Sequence, residues 1–162
     1  MPIPYSEGER RRWRGAHVDN ANVAMRVDRV RKRSIKTESK ERLLRLALSM
    51  IDLTTLEGMD TPEKVTALCR KASLPFQEMP DLPTVAAVCV YPNMVPYARK
   101  ALGPNSPVKL AAVATAFPSG QLPLPLKLEE VRRTVQLGAD EIDMVIDRGA
   151  FLAGEDHKVY DE

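Results

Sequence analysis

The chain has 162 residues, 44% of them hydrophobic and 28% charged, with a net charge of +2 at neutral pH. That is long enough for one domain with a substantial core, and the composition is that of an ordinary soluble globular protein. No run of about 18 apolar residues occurs, so no membrane-spanning helix is expected, and the start Met1-Pro-Ile-Pro-Tyr-Ser-Glu-Gly-Glu-Arg10 lacks the apolar stretch of a secretory signal.

Charge divides the chain unevenly. Residues 1–45 hold 13 Lys/Arg against 6 Asp/Glu, a net of +7, and residues 46–162 hold 11 against 16, a net of −5. The first segment reads as a basic, partly helical extension: little order is expected over residues 1–22, and Val23, Val27 and Val30 mark a weak amphipathic helix running to Lys36. Such an arm could meet a polyanion or complement an acidic body, but the near absence of interleaved aromatics and of any nucleic-acid motif argues against nucleic acid as its partner.

Thr37-Glu-Ser-Lys-Glu41 opens a second helix with Leu43, Leu44, Leu46, Ala47 and Leu48 on its apolar stripe. Ser49–Thr54 reads as a short strand. Thr61-Pro-Glu-Lys64 is a helix start, with an N-cap threonine, proline in the first turn and an acid near the positive helix end. A proline-rich loop leads to Thr84–Tyr91, an apolar run suited to a strand covered on both faces. A helix over 92–102 closes at Gly103-Pro104; a strand over 108–117 follows, then a helix over 127–137 ending at Gly138. The final strand, Glu141–Ile146, alternates Glu141, Asp143, Val145 and Asp147 on one face with Ile142, Met144 and Ile146 on the other. Carboxylates written into an otherwise buried strand are costly, and folds that keep them commonly use them for proton transfer.

The order βαβαβαβ, with strands starting near 49, 85, 110 and 141, repeats every 31 residues or so, about the spacing of a (β/α)8 TIM barrel. Pattern alone also admits a doubly wound α/β sheet. No phosphate-binding glycine motif is present. In a barrel the working groups lie at the C-terminal strand ends, here Asp52-Leu-Thr-Thr55, Cys89-Val-Tyr-Pro92, Thr115-Ala-Phe-Pro-Ser-Gly120 and Asp143-Met-Val-Ile-Asp147. These ends carry no histidine and no lysine. His17 and His157 lie in the arm and the tail, which argues against histidine-based metal or triad chemistry, and Cys69 and Cys89 match no metal spacing. Two free thiols in a reducing cytoplasm are the expectation.

Asp52-Leu-Thr-Thr-Leu56, Ala87-Val-Cys-Val-Tyr-Pro92, Val113-Ala-Thr-Ala-Phe-Pro-Ser-Gly120 and Gly138-Ala-Asp-Glu-Ile-Asp143, in that order and spacing, closely resemble successive strand motifs of the deoxyribose-phosphate aldolase family. The resemblance covers residues 46–162 and implies the first four βα units of a TIM-barrel class I aldolase, preceded by the 1–45 extension. It implies reversible cleavage of 2-deoxy-D-ribose 5-phosphate to glyceraldehyde 3-phosphate and acetaldehyde through a lysine Schiff base, in deoxyribonucleotide catabolism, with a phosphosugar substrate and no metal or other cofactor. By motif, Asp143 matches the strand-4 aspartate of the proton relay, Asp52 and Thr54 match polar residues at the end of strand 1, Cys89 a pocket cysteine, and Phe117 the loop after strand 3. The residues admit blander roles beside these. Asp143 could pair with a basic group, Asp52 could bond backbone amides, Cys89 could be a small core hydrophobe, and Phe117 could be packing; Asp147 is expected to be exposed at the strand end.

The family's Schiff-base lysine and its second lysine lie on strands 6 and 7, beyond Glu162. Of the lysines after the arm, Lys64, Lys71, Lys100 and Lys127 fall in helices, Lys109 enters strand 3 at its N-terminal end and Lys158 lies in the tail. None is expected to place an amine in the lumen. The expectation is an aldolase N-terminal half, inactive alone and prone to self-association through exposed edges. The alternatives are a homodimer of half barrels and a nonenzymatic fragment binding polyanions through its arm.

Overall fold

In the computed structural model, residues 18–162 are described, and the chain divides into two compact units, 1–40 and 41–162. In the first, helix α1 (Asn20–Arg31) is capped by Asp19, whose carboxylate accepts from the Asn22 amide at 3.0 Å. The helix thus starts inside the stretch expected to lack order, because an Asx cap satisfies an otherwise orphaned N–H. Its valines face outward and no residue of α1 is buried. The remainder of the 1–22 expectation lies outside the described residues.

Helix α2 (Thr37–Leu48) leads into the second unit. There Arg45 grips the Asp81 carbonyl at 3.0 Å and its carboxylate at 2.7 Å, tying the helix to the loop before the second strand. Then follow β1 (Asp52–Thr54), α3 (Pro62–Ser73), β2 (Ala87–Val90), a 3-10 turn (Pro92–Met94) running into α4 (Val95–Leu102), β3 (Lys109–Ala114), α5 (Leu124–Gln136), β4 (Glu141–Met144), and the short helices α6 (Arg148–Leu152) and α7 (Asp156–Asp161). The strands are shorter than the apolar runs suggested. Ser49 and Met50 bond back to Arg45 and Ala47, so they finish α2 and do not begin β1. Helix α5 begins three residues before the expected Lys127, with Pro125 in its first turn, where the missing N–H costs nothing. Helix α6 carried no strong periodic signal.

The four strands form one parallel sheet in the order β1-β2-β3-β4. Val88, Val90, Leu110 and Ala112 project to one side, where they form the main core with Val65, Cys69 and Ala72 of α3 and Val95 and Ala98 of α4. The other side carries a smaller cluster, Ala87, Cys89, Ala111 and Val113, with Leu56, Tyr91 and Phe117 against it. A parallel sheet with this core on one face and small and polar side chains on the other is the layout of a barrel wall, and the doubly wound alternative, with helices on both faces, falls away. The chain is α/β, with the first four βα units of a TIM-type barrel.

Candidate functional site

Register decides which side chains meet on the small-residue face. Parallel partners share a side of the sheet, and the pairs Asp52↔Ala87↔Lys109, Thr54↔Cys89↔Ala111↔Glu141 and Val113↔Asp143 therefore stack as successive rows on that inner face. Asp52, Thr54, Cys89 and Asp143, which the sequence singled out, all lie on it. The Asp143 carboxylate accepts from the Cys89 thiol at 3.9 Å, a diagonal contact across β3. Burial pushes the Cys89 thiol up to about 11, with the negative charges of Asp143 and then Asp52 adding to it and a hydrogen bond with Thr54 working the other way. This cysteine is held as a neutral thiol, an inert small side chain beside a carboxylate.

Asp143 differs from expectation in one respect: it is exposed, as are Glu141 and Met144. β4 is an edge strand of the sheet, so no neighbour covers its far side. The carboxylate is therefore open to solvent and not in an apolar interior. Asp147 is corrected in the opposite direction. Expected at an exposed strand end, it is only 8% exposed; it caps α6 by accepting from the Ala150 amide at 3.0 Å and pairs with the Lys158 ammonium at 2.8 Å. The Lys158 hydrogen bond, followed by the Ala150 amide, holds its carboxyl below the usual range.

Phe117 meets Tyr91 edge to face, ring centroids 6.2 Å apart at 62°. The pair stands above the inner-face cluster, at the C-terminal end of β2 and β3. Phe117 is aimed there by an unusual backbone. Thr115 (φ 61°) and Ala116 (φ 64°) are consecutive left-handed residues, neither of them glycine, and such conformations cost about 1–3 kcal/mol each. Three clamps hold them. The Thr115 hydroxyl accepts from Val145 N at 2.8 Å and lies 2.7 Å from Val145 O, replacing the ladder where β3 and β4 part. The Glu130 carboxylate accepts from Ala116 N at 2.8 Å. The Ala116 carbonyl accepts from the Ser119 and Gly120 amides at 3.0 and 2.9 Å. Gly120 itself sits so close to the segment after β4 that a Cβ would come within 2.2 Å of the Ile146 carbonyl oxygen. The Phe117–Pro118 peptide is cis.

Thr115 stood in one of the strand-end motifs read from the sequence, but nothing local signalled Glu130 or Asp60 as part of this frame. Asp60, its side chain 3% exposed, accepts from the Thr55 hydroxyl at 2.8 Å and the Glu57 amide at 3.0 Å and pairs with Lys64 at 2.5 Å, fixing the β1–α3 loop. Several lysines are engaged elsewhere. Lys127 is buried against Glu162 at 2.6 Å, and Lys64 and Lys158 are paired as above. Lys109 does share the inner-face parity, but it opens β3, four residues before the partner of Asp143, a rise of about 13 Å. Among the described residues, no ion pair between a lysine and Asp143 is found.

The sequence model for DeoC/LacD family aldolase matches residues 46–162. The chain belongs to this aldolase family. Among curated DeoC/LacD-type relatives, it is 43% identical over 155 residues to deoxyribose-phosphate aldolase of Mus musculus, covering 90% of this chain and 49% of the relative. It spans about half the length of the curated relatives it matches. Among solved structures, a putative deoxyribose-phosphate aldolase from Coccidioides immitis superposes with a TM-score of 0.62 at 26% identity, over 72% of this chain and 42% of that one. A tetrameric deoxyribose phosphate aldolase from Aeropyrum pernix gives 0.51 at 32% identity, over 64% and 40%. The extent of the match fits the N-terminal half of the family's barrel. Among the described residues no helix is long and apolar enough to cross a membrane.

Proposed function

We propose that the inner face of this sheet is the β1–β4 half of a deoxyribose-phosphate aldolase site, and that residues 1–45 form an extension outside it. The reading is carried by one observation: Asp143, Cys89, Thr54 and Asp52, drawn from three strands, share one face of the sheet below the Tyr91–Phe117 pair. The reaction would be the reversible cleavage of 2-deoxy-D-ribose 5-phosphate to glyceraldehyde 3-phosphate and acetaldehyde through a lysine Schiff base. Breaking the C2–C3 bond requires a proton to leave the C3 hydroxyl and another to reach C2, while the imine at C1 takes up the electron pair. Asp143 is the group on this face suited to move those protons, directly or through a water. Asp52 and Thr54 supply polar contacts, Cys89 a neutral wall and Phe117 the lip of the pocket. The amine comes from outside this set, since none of the described lysines forms an ion pair with Asp143. Two unpaired buried thiols suit a cytoplasmic setting, and self-association through sheet edges belongs to the same reading.

The test is a chimaera in which residues 46–162 replace the matching half of the mouse relative. Retro-aldol turnover that disappears in Asp143→Asn is expected; a folded chimaera without turnover sinks the assignment. The 162-residue chain alone is expected to give neither turnover nor a borohydride-trapped adduct, and a trapped imine on one of its own lysines would overturn the account of the amine.

A further inference from the structure

The Tyr91–Phe117 lip depends on a backbone that its own residues disfavour. Thr115 and Ala116 are both left-handed, and a β-branched threonine is a poor occupant of that region. Without outside support the segment would relax to right-handed or extended backbone and carry Phe117 away from Tyr91. Thr115 is held by Val145, just past the end of β4, but Ala116 has a single side chain on its amide, the half-buried Glu130 carboxylate at 2.8 Å. Glu130 lies 14 residues further along, on α5. That helix contributes nothing else to the inner face, its buried side chains being Lys127 and Thr134.

We infer that Glu130 is a positioning residue of the aldolase site: acting through the Ala116 amide, it locks the left-handed pair that aims Phe117 onto Tyr91 above Asp143. The inference rests on the proposed function for its purpose, but its mechanism is separate. Glu130 need not touch substrate. It fixes one wall of the pocket from the helix side of the sheet, so that loop and site are set by a contact running between layers.

Conservative and truncating variants separate this role from simple support of α5. Glu130→Gln keeps an oxygen acceptor for the Ala116 amide; Glu130→Ala removes it; Ala116→Gly lets the backbone hold φ near 64° without help. The readout on the 162-residue chain is the nuclear Overhauser contact and ring-current shift between Tyr91 and Phe117, with the methyl resonances of Val88, Val90 and Leu110 reporting the core. Glu130→Ala is expected to lower the ratio of paired to unpaired rings by about tenfold, the worth of one net hydrogen bond. Glu130→Gln should stay near the parent, and Ala116→Gly in the Glu130→Ala background should restore much of the ring contact. The proposal is overturned by ring contacts that survive Glu130→Ala, by equal loss in Glu130→Gln with the core methyls intact, or by strictly additive effects of Glu130→Ala and Ala116→Gly. If Glu130→Ala does not fold, the Glu130→Gln comparison alone decides. None of these readouts depends on turnover, so failure here leaves the chimaera assay standing, and failure of that assay leaves the loop mechanism standing.

Discussion

Replacing Asp143 with asparagine should make Cys89 more acidic. In the parent, burial and the two aspartates of the inner face raise the thiol to about 11. The carboxylate oxygen lies 3.9 Å from the sulfur. Two unit charges at that separation interact by about 1 kcal/mol in a water-like medium and about 4 kcal/mol at an effective dielectric of 20. Asp143 is exposed, so the lower figure governs, and at 1.36 kcal/mol per pH unit it corresponds to a fall of about three-quarters of a unit in the thiol midpoint. Below both midpoints the thiolate fraction would rise about sixfold. A less basic thiolate is also less nucleophilic, which trims the gain in alkylation rate to about two- to threefold. The assay is competitive alkylation with a small reagent, resolved by peptide mass spectrometry. Cys69 is the internal reference, because its thiol is raised by burial alone. Asp52→Asn should act in the same direction and less strongly. An unchanged ratio of Cys89 to Cys69 labelling in Asp143→Asn, or a slower Cys89, would refute the placement of that carboxylate against the thiol.

Three further outcomes follow from the frame of the site. Gly120→Ala and Gly154→Ala both put a side chain at positive φ, for a cost of about 1 kcal/mol, but only the first drives a Cβ into the Ile146 carbonyl, while Gly154 has open space. Gly120→Ala should therefore cost about 1–3 kcal/mol more stability by urea titration, and equal losses would mean that the β3–α5 loop does not press on the segment after β4. Arg99 donates to the Gly138 carbonyl at 2.7 Å and to Asp140 at 2.6 Å, and Asp140 also accepts from the Leu110 amide at 2.8 Å. Arg99→Ala should cost about 1.5 kcal/mol, the low end for charged hydrogen bonds because both side chains are about one-third exposed, and should be non-additive with Asp140→Asn in a double-mutant cycle. Burial opposes ionisation of Asp140, but Arg99 and the Leu110 amide outweigh it and hold the carboxyl below 3.8. The stability this contributes is complete above 3.8 and is lost as the pH falls through the depressed folded value, so Asp140→Asn should flatten the acid limb of a stability–pH profile. Leu110→Ala, in the fully buried outer core, should cost about 2–5 kcal/mol by urea titration.

The fold was largely legible because parallel strands under helices are apolar runs, and Ala87–Val90 and Lys109–Ala114 stand out as such. The alternation Glu141, Asp143 against Ile142, Met144 likewise places the carboxylates on one face from sequence alone. Contacts made at long range were not legible. Glu130 reaches Ala116 across 14 residues and Thr115 reaches Val145 across 30, and neither pairing leaves a periodic trace. Strand ends misled for the same reason: β3 stops where the backbone turns left-handed, and β4 stops where a threonine hydroxyl takes over its next amide. Asp147 looked like one more alternating surface acid, but the backbone turns into α6 directly after it and its carboxylate caps that helix through the Ala150 amide. The exposure of Asp143 depended on β4 being an edge, a property of strand order and not of strand sequence.

Because side chains alternate across a strand, these four strands carry two messages interleaved residue by residue. Val88, Val90, Leu110 and Ala112 serve the outer core, while Ala87, Cys89, Ala111 and Asp143 serve the inner surface. Bulk resides almost wholly in the first set, and the second is small or polar. Packing of the main core and the make-up of the inner surface are therefore set by disjoint positions of the same short segments. A library that varied residues 54, 89, 111 and 143 together would explore chemistry on a scaffold whose main core it never touches, whereas moving the frame by a single residue would exchange the two messages and lose both.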